Sequence, residues 1–361
     1  MRSRHYTALN RRALLAGGGT VLGASVLSPR ASAAAVPVSP MMETLSRYMA
    51  EAGDRALPEE VVEKAKHHVL DTFAAMISGS ELPPAQAALK FARDYTADST
   101  ATVAASRLTA NPLEAALVNG MLAHSDETDD SNEFSQSHPG CAVIPAALAV
   151  GEKFGTDGTR FLRAVTLGYD IGSRVTISFG AVPFRNTSHK ATHSIAGIFA
   201  AAAAAGSLAR LDAQQMRWLL DYTSQQSSGI GAWARDTSHI EKSFVFAGMP
   251  ARGGVTAALA VQSGFTGVDD IFSGPDNYFE AYAPDARPEL MIEQLGQRFE
   301  IARTNVKKWT VGSPIQAPLD AMSNIFAKRP VDADEVKTII VRLAHTEART
   351  VNNRDMPDIC L

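Results

Sequence analysis

The chain has 361 residues, of which 45% are apolar, 20% charged and 7% aromatic, and its formal net charge is −4. This composition is too apolar for a disordered chain and too charged for a polytopic membrane protein. The weakly acidic balance provides no basic stripe, which excludes nucleic acid as the main partner. Cys141 and Cys360 are far apart, and the sequence has no CxxC pair or zinc-ribbon spacing. The length predicts one large domain or two unequal ones.

The first 33 residues have the layout of an export signal. Arg11 and Arg12 precede an uncharged stretch rich in Leu, Ala and Gly, and Ala31-Ser32-Ala33 then forms a small-residue cleavage site. The paired arginines favour the twin-arginine export machinery as a partner. An uncleaved membrane anchor is the alternative, but an apolar run of about 15 residues is short for a span that needs roughly 20. We therefore expect a periplasmic or extracellular protein with no stable membrane insertion once 1–33 is removed.

Helical patterns dominate the rest of the chain. Over 58–80, apolar residues recur every three or four positions, Pro58 and two glutamates suit the first turn, and Gly79 suits the end. An unbroken alanine run, 200–205, predicts a core helix whose small side chains let a neighbouring helix approach closely. Similar patterns predict helices over 112–124, 142–153, 158–174, 193–209, 214–225, 253–262 and 314–327.

The pattern changes near the C-terminus. Residues 335–343 are β-branched and partly alternating, which predicts a strand. Because this strand follows a helical stretch, we expect an α+β unit appended to a helical body. The predicted fold is therefore mainly α, with a large all-helical domain over 37–295 and a smaller α+β lid domain over 296–361.

Four polar clusters are candidates for chemistry. The densest covers 124–131 and continues to His138, between two apolar helices, so that His124 and His138 bracket several carboxylates. A histidine titrates near neutral pH and serves as a general acid or base, which favours a site over the alternative of a solvated acidic loop. The acidic run lacks the glycine and terminal glutamate of a calcium loop, and the sequence has no HExxH motif. We therefore expect no metal.

The other clusters add imidazoles and cations. His189 and His193 lie at the start of the alanine-rich helix, where capping and packing are equally natural roles. Lys242 precedes an apolar helix, and Lys307 lies at the junction with the predicted lid. Each lysine alone suits a surface position, but together they predict a cationic pocket for carboxylates. The sequence has no GxSxG motif, P-loop or dinucleotide-binding fingerprint, which argues against hydrolases, kinases and dehydrogenases.

A series of segments is distinctive in its residues and its order: 70–79, 119–125 with Asp129 and Asp130, 138–140, 168–172, 193–206, 265–267 and 307–309. Through these segments the chain resembles the MmgE/PrpD family. The matching segments appear in the family's order and cover nearly all of the chain after the signal. The resemblance implies a homodimer of two-domain subunits with the active site between the helical domain and the lid. It also implies a lyase that uses no metal or organic cofactor and acts on small di- or tricarboxylates.

The resemblance also assigns roles to individual residues, carried over motif by motif. His189 is the register alternative to His193, and the assignment of acid and base between the histidines stays open. Catalytic roles fall on Asp129, Asp130, His138, His193 and Lys242. Substrate-binding roles fall on Glu127, Ser131 and Lys307.

Two departures from the family pattern bear on the reaction. Residues 310–316 contain no histidine, whereas the resemblance implies one after the lid lysine, and this disfavours decarboxylation of cis-aconitate. Family chains also continue beyond the length of this one, which suggests an incomplete sequence or a truncated paralogue. We expect dehydration of a hydroxy acid that resembles 2-methylcitrate. The alternatives are epimerisation or isomerisation of a dicarboxylate by proton abstraction, or carboxylate binding by a catalytically impaired paralogue.

Overall fold

A computed structural model describes residues 37–97 and 99–342, and the export signal predicted over 1–33 lies outside the described residues. The described chain is a bundle of α-helices with a short antiparallel ribbon, β1 (Ala101–Thr102) and β2 (Thr109–Ala110). The mainly α fold predicted from the sequence is confirmed. The helices are α1 (Pro40–Glu51), α2 (Glu59–Ser78), α3 (Pro83–Tyr95), α4 (Pro112–Ala123), α5 (Gly140–Phe154), α6 (Gly158–Ser178), α7 (Val182–Ser188), α8 (Thr192–Leu208), α9 (Ala213–Gln226), α10 (Ile240–Ser243), α11 (Met249–Gln262), α12 (Tyr278–Tyr282) and α13 (Ser313–Lys328).

Helix α8 lies at the centre of the bundle and packs against α5, α6 and α11. Its alanine run, 200–205, is entirely buried. Glycines of two neighbouring helices face it. A Cβ at Gly172 of α6 would lie 2.3 Å from the backbone oxygen of Ala196, and one at Gly254 of α11 would lie 2.4 Å from the nitrogen of Ala202. The small side chains therefore bring helix backbones into direct contact, as the alanine run predicts.

Polar caps determine where several helices begin. The side chain of Asn111 accepts backbone hydrogen bonds at the start of α4, and Asp157 does the same at the start of α6. Asp212 forms a capping box with Gln215 at the start of α9. All the helices predicted from the sequence are present, with ends within a few residues of the prediction. Helices α1, α3, α7, α10 and α12 were not predicted from the sequence.

The strand predicted over 335–343 is wrong for the part that the structure describes. A turn of 3-10 helix, Ala333–Glu335, is followed by residues 336–342, which have no partner strand within the described chain. Their β-branched side chains suit a pleated surface, but a strand also needs a neighbour for its backbone hydrogen bonds. Ile339 and Ile340 are instead 63% and 74% exposed. The remainder of the predicted lid, 343–361, lies outside the described residues.

Among the described residues, one helical stretch, Ile240–Gln262, is long and apolar enough to cross a membrane by length and composition. Most of its apolar window, 61%, is buried inside the protein, and core helices of globular proteins pass the same test. The stretch comprises α10, a π-helical turn over Phe244–Gly248, and α11. This π-helical turn contributes to the site described next.

Candidate active site

Four parts of the chain converge on one buried cluster of polar side chains. The loop between α4 and α5 contributes carboxylates and two histidines, and the first turn of α8 contributes another histidine. The stretch from residue 239 through the π-helical turn, and the segment after the 3-10 turn Glu300–Arg303, contribute the rest. We call this set the site cluster. It comprises His124, Glu127, Asp129, His138, His193, His239, Lys242, Phe246 and Lys307.

The charged groups of the site cluster form two opposed pairs. Glu127, whose side chain is only 5% exposed, contacts the ammonium group of Lys242. The Nζ of Lys307 donates to the backbone oxygen of Glu127 at 2.7 Å and lies 3.6 Å from its Oε2. The same Nζ lies 3.4 Å from Oδ1 of Asp129. One buried and one partly buried ammonium group therefore face two buried carboxylates.

A backbone bridge brings Lys307 to this position. The N–H of Ser131 donates to the oxygen of Asn305, and the N–H of Asn305 donates to the oxygen of Ser131, each at 2.9 Å. The bridge joins the carboxylate loop to the segment that follows the 3-10 turn Glu300–Arg303. Lys307 lies two residues beyond it and reaches back under the loop. Ser131, assigned to substrate binding by the resemblance, thus contributes its backbone to the architecture of the site.

Hydrogen bonds define the tautomer of each of three histidines. Nδ1 of His138 bonds to the backbone oxygen of Asp130, which only accepts, so Nδ1 carries the proton and Nε2 carries the lone pair. Nδ1 of His124 lies 2.8 Å from Oδ2 of Asp129 and carries its proton for the same reason. Nε2 of His239 donates to the backbone oxygen of His124 at 2.9 Å. Each neutral ring therefore presents one basic nitrogen.

An aromatic side chain organises these rings. Phe246, in the π-helical turn, stacks on His193 with ring centroids 3.9 Å apart and planes 12° apart. Its ring also lies 4.9 Å from that of His124, and Trp233 packs edge-on against it at 4.6 Å. His138 stacks on His193 at 5.0 Å. The extra residue of a π-helical turn shifts the side chains that follow it, and such turns are frequent at functional sites.

Burial keeps the imidazoles of the site cluster neutral. It lowers the pKa of both His124 and His239 to about 4. It also lowers the pKa of His138, and it brings the pKa of His193 well below its usual range. Burial disfavours the charged form of a ring because the protein interior solvates a charge less well than water does. These four histidines are therefore bases, not cations, near neutral pH.

The ionic groups respond to burial and to one another. Burial alone would raise the pKa of Asp129, but His124 and Lys307 hold it well below the usual carboxyl range. Burial, and then the charge of Lys307, lower the pKa of Lys242 to about 7. The contact with Glu127 acts in the opposite direction, because an adjacent carboxylate favours the charged ammonium. Lys242 is thus a cation that can lose its proton close to neutral pH.

Asp130 lies behind the loop rather than within the site cluster. Its Oδ1 accepts from the backbone N–H of Gly140 at 3.0 Å, and its Oδ2 accepts from the hydroxyl of Tyr169. Nδ1 of His68 lies 2.8 Å from the same Oδ2. The carboxylate is fully buried among these neighbours. Asp130 therefore holds the start of α5 and, through its backbone oxygen, the ring of His138.

Within the part of the chain that the structure describes, two groups of side chains have the ligand types of a metal site. The candidate ligand atoms of His124, Glu127 and His239 lie within 4.8 Å of one another, as do those of His124, Asp129 and Cys141. The carboxylates of both groups also lie beside the two ammonium groups. A metal cation bound at these carboxylates would be repelled by the positive charges of the two ammonium groups. The expectation that the protein uses no metal stays a prediction.

The structure brings together most of the residues that the resemblance assigns. His189 is exposed beyond the end of α7, so His193 is the histidine that joins the site cluster. Two members of the site cluster were not assigned a role from the sequence. His239 lies three residues before Lys242, so a signal was present, whereas Phe246 is one apolar residue in an apolar stretch and has no signal. The assigned residues that meet are Glu127, Asp129, His138, His193, Lys242 and Lys307.

A helical bundle that encloses imidazoles, ammonium groups and carboxylates defines the class of protein: an α-helical domain with a buried ionic site. Residues 43–291 match the family model described as the MmgE/PrpD N-terminal domain. The match covers more than half of the chain, and the protein belongs to the MmgE/PrpD family. The resemblance found in the sequence is thereby confirmed at the level of the family.

The chain is also similar to several curated proteins at low identity. It is 25% identical to the cis-aconitate decarboxylase-like protein oryM of Aspergillus oryzae over 79% of this chain and 61% of that protein. It is 21% identical to a cis-aconitate decarboxylase of Aspergillus terreus, over 82% of this chain and 62% of that protein. It is 24% identical to the cis-aconitate decarboxylase of Homo sapiens, over 81% of this chain and 62% of that protein. The chain spans about three fifths of the length of these relatives.

Proposed function

We propose that the protein is a cofactor-independent lyase that acts on a small tricarboxylate-like substrate. The observation that carries this proposal is the meeting of two lysines with four neutral histidines in one buried site. Ammonium groups bind carboxylates, and neutral imidazoles accept protons. Membership of the MmgE/PrpD family supports the proposal, as do relatives named as cis-aconitate decarboxylases.

The geometry supports a proton-transfer mechanism. Lys242 and Lys307 hold substrate carboxylates, and their charge offsets the negative charge that develops when a neighbouring carbon loses its proton. Nε2 of His138 takes that proton, because Nδ1 is committed to the backbone oxygen of Asp130. In a dehydration, the imidazolium returns the proton to the departing hydroxyl, the C–O bond breaks, and water leaves. A carbon–carbon double bond forms in the product, and His138 returns to its neutral form.

Two reactions fit this apparatus. Dehydration of a 2-methylcitrate-like hydroxy acid breaks a C–O bond, and the lack of a histidine over 310–316 favours it under the family resemblance. Decarboxylation breaks a C–C bond and releases carbon dioxide, and the names of the relatives favour it. In the structure, the side-chain amide of Gln316 donates to the backbone oxygens of Trp309 and Val311. This residue therefore braces the loop after Lys307.

The test follows product formation by the purified full-length protein with 2-methylcitrate, citrate or cis-aconitate, using proton NMR. Loss of water from a hydroxy acid supports dehydration, and release of carbon dioxide from cis-aconitate supports decarboxylation. His138→Ala is the control for proton transfer, and Lys242→Ala is the control for carboxylate binding. A mixture of stereoisomers without loss of water or carbon dioxide would identify an epimerase. Carboxylate binding in a calorimeter without turnover would identify a binding protein.

We also propose that the protein is exported through the twin-arginine machinery and acts as a homodimer. The Arg11-Arg12 pair and the cleavage site at Ala33 support export. The dimer rests on the family resemblance. Intact mass spectrometry and light scattering on protein purified from its native host test both. Loss of 1–33 and a mass of two chains support the proposal, whereas a full-length cytoplasmic monomer contradicts it.

A further inference from the structure

Both lysines of the site cluster are already paired with carboxylates of the protein. Glu127 contacts Lys242 through Oε1, and its Oε2 lies 3.6 Å from Nζ of Lys307. Lys307 also lies 3.4 Å from Asp129. Two internal carboxylates therefore face the ammonium groups that a substrate carboxylate would use. A polycarboxylate entering this arrangement meets like charges at short range, which opposes its binding.

The two internal carboxylates differ in how firmly they are held. Asp129 is anchored by His124, whose Nδ1 lies 2.8 Å from its Oδ2. Glu127 makes its carboxylate contacts with the two lysines and, at 3.8 Å, with Nε2 of His239. Nε2 of His239 donates to the backbone oxygen of His124, so the partners of the Glu127 carboxylate are the two ammonium groups, which another carboxylate satisfies equally well. Glu127 is therefore the internal carboxylate that a substrate can replace.

The loop allows this exchange without a change in its backbone. Glu127 has left-handed backbone geometry, with φ at 60°. Next to it, Asp126 accepts from the backbone N–H of Thr128 at 3.1 Å and from its hydroxyl at 2.6 Å, which fixes the turn. Rotation about the side-chain bonds of Glu127 alone moves its carboxylate away from the lysines.

We propose that Glu127 is an internal occupant of the carboxylate subsite formed by Lys242 and Lys307, and that a substrate carboxylate binds by displacing it. The inference rests on the proposed function, because it assumes a polycarboxylate ligand. Without substrate, Glu127 keeps the two ammonium groups paired and in place. A ligand with a single carboxylate replaces one ion pair with another and gains no further contact. A ligand with two or three carboxylates gains further contacts, so Glu127 determines specificity for polycarboxylates.

Calorimetric binding of propane-1,2,3-tricarboxylate, an unreactive tricarboxylate, tests the proposal in the full-length protein. Glu127→Gln removes the competing charge and keeps the shape, so its Kd should lie at least about tenfold below that of the wild type. Glu114→Gln is the matched control, since Glu114 pairs with Arg252 outside the site cluster, and it should bind as the wild type does. Tighter binding by Glu127→Gln alone supports the proposal.

Two other outcomes overturn it and are distinguishable. If Glu127→Gln binds the tricarboxylate no more tightly than the wild type, Glu127 is not a competitor, and the proposed function survives. If neither the wild type nor Glu127→Gln binds any tricarboxylate, both this proposal and the proposed function fail. Glu127→Asp guards against a glutamine variant that does not fold, because it keeps the charge on a shorter side chain. It should bind more tightly than the wild type, and unchanged or weaker binding contradicts the proposal.

Discussion

Ser131 and Asn305 exchange two backbone hydrogen bonds of 2.9 Å, and this bridge joins two segments that are 174 residues apart in the sequence. One segment carries Glu127 and Asp129, and the other carries Lys307. The bridge therefore fixes the distance between the carboxylates and one of the two lysines. The ionic site depends on a contact between backbones, which the side chain at residue 131 does not determine.

This relationship predicts different effects for two substitutions at one position. Ser131→Ala keeps the backbone N–H, so kcat/KM should stay within about twofold of the wild type. Ser131→Pro removes the N–H that bonds to Asn305 and should lower kcat/KM by about a hundredfold through misplacement of Lys307. Steady-state kinetics on the substrate identified for the wild type measure both, with melting curves to show that each variant folds. A large loss in Ser131→Ala would indicate a direct role for the hydroxyl.

His138 should be essential to turnover and dispensable for the fold. His138→Ala removes the basic Nε2, so we expect kcat to fall by about 10²–10⁴-fold with a small change in Tm. His67→Ala, at an exposed position of α2, is the matched control and should keep wild-type kinetics. Stopped assays over long incubations detect the residual rate. Near-normal turnover in His138→Ala would remove this residue from the mechanism.

The helices were predictable because their signals are local, and parts of the site were not because theirs are distant. Asn111 and Pro112 lie beside the residues whose helix they start, and apolar spacing is visible in the chain itself. The role of Phe246 depends on a π-helical turn, which the spacing of apolar residues does not encode. The strand expected at Ile339 and Ile340 failed for a related reason, since a strand depends on a partner elsewhere in the chain.

The same contrast holds for the charged residues of the site. Motifs predicted His138 and Lys242, but a motif indicates the type of side chain and not its position in space. Motifs did not separate Asp129, which faces Lys307, from its neighbour Asp130, which faces Tyr169 in the core. Adjacent side chains of a loop point in different directions, and only packing decides which one enters a site.

Lys242 should control the alkaline limb of the pH profile. Its pKa is lowered to about 7 by burial and then by Lys307, so the free enzyme loses this cation as the pH rises through 7. If carboxylate binding needs the ammonium form, kcat/KM should fall above pH 7, because this parameter reports the free enzyme. Lys242→Arg stays charged, and its alkaline limb should move above about pH 9. Lys308→Arg, at an exposed position, should keep the wild-type profile. An unchanged limb in Lys242→Arg would assign that titration to another group.

Asp71 should make stability depend on pH in a defined direction. Burial, and then the charge of Asp130, raise the pKa of Asp71 to about 7, where it lines a cavity of about 620 Å³ between α2 and residues 304–306. Between pH 4 and 7 the folded protein therefore binds a proton that the unfolded chain has released, and this stability is lost as the pH rises through 7. Asparagine does not titrate, so Asp71→Asn should raise Tm more at pH 8 than at pH 5.

A melting series from pH 5 to pH 8 measures this difference for Asp71→Asn. Asp94→Asn, at an exposed position of α3, should show no comparable trend across the same range. A gain in Tm that does not depend on pH would show that Asp71→Asn acts through packing. In that case the carboxyl group of Asp71 would have an ordinary pKa in the folded protein.

The close packing of helices around α8 allows a prediction that does not depend on the reaction at the site cluster. A methyl group at Gly254 would lie 2.4 Å from the nitrogen of Ala202 and 2.6 Å from Cβ of Ala201, so Gly254→Ala forces α11 away from α8. We expect Gly254→Ala to lower the free energy of unfolding by about 1–3 kcal/mol, the usual range for overpacking. At Gly151 of α5, the nearest atom to the new methyl would be 3.6 Å away, an ordinary contact. Gly151→Ala should therefore raise the free energy of unfolding by about 0.5–1 kcal/mol through lower backbone entropy in the unfolded chain. Urea unfolding of both variants gives the comparison, and a stabilising Gly254→Ala would mean that the two helices lie farther apart than the structure places them.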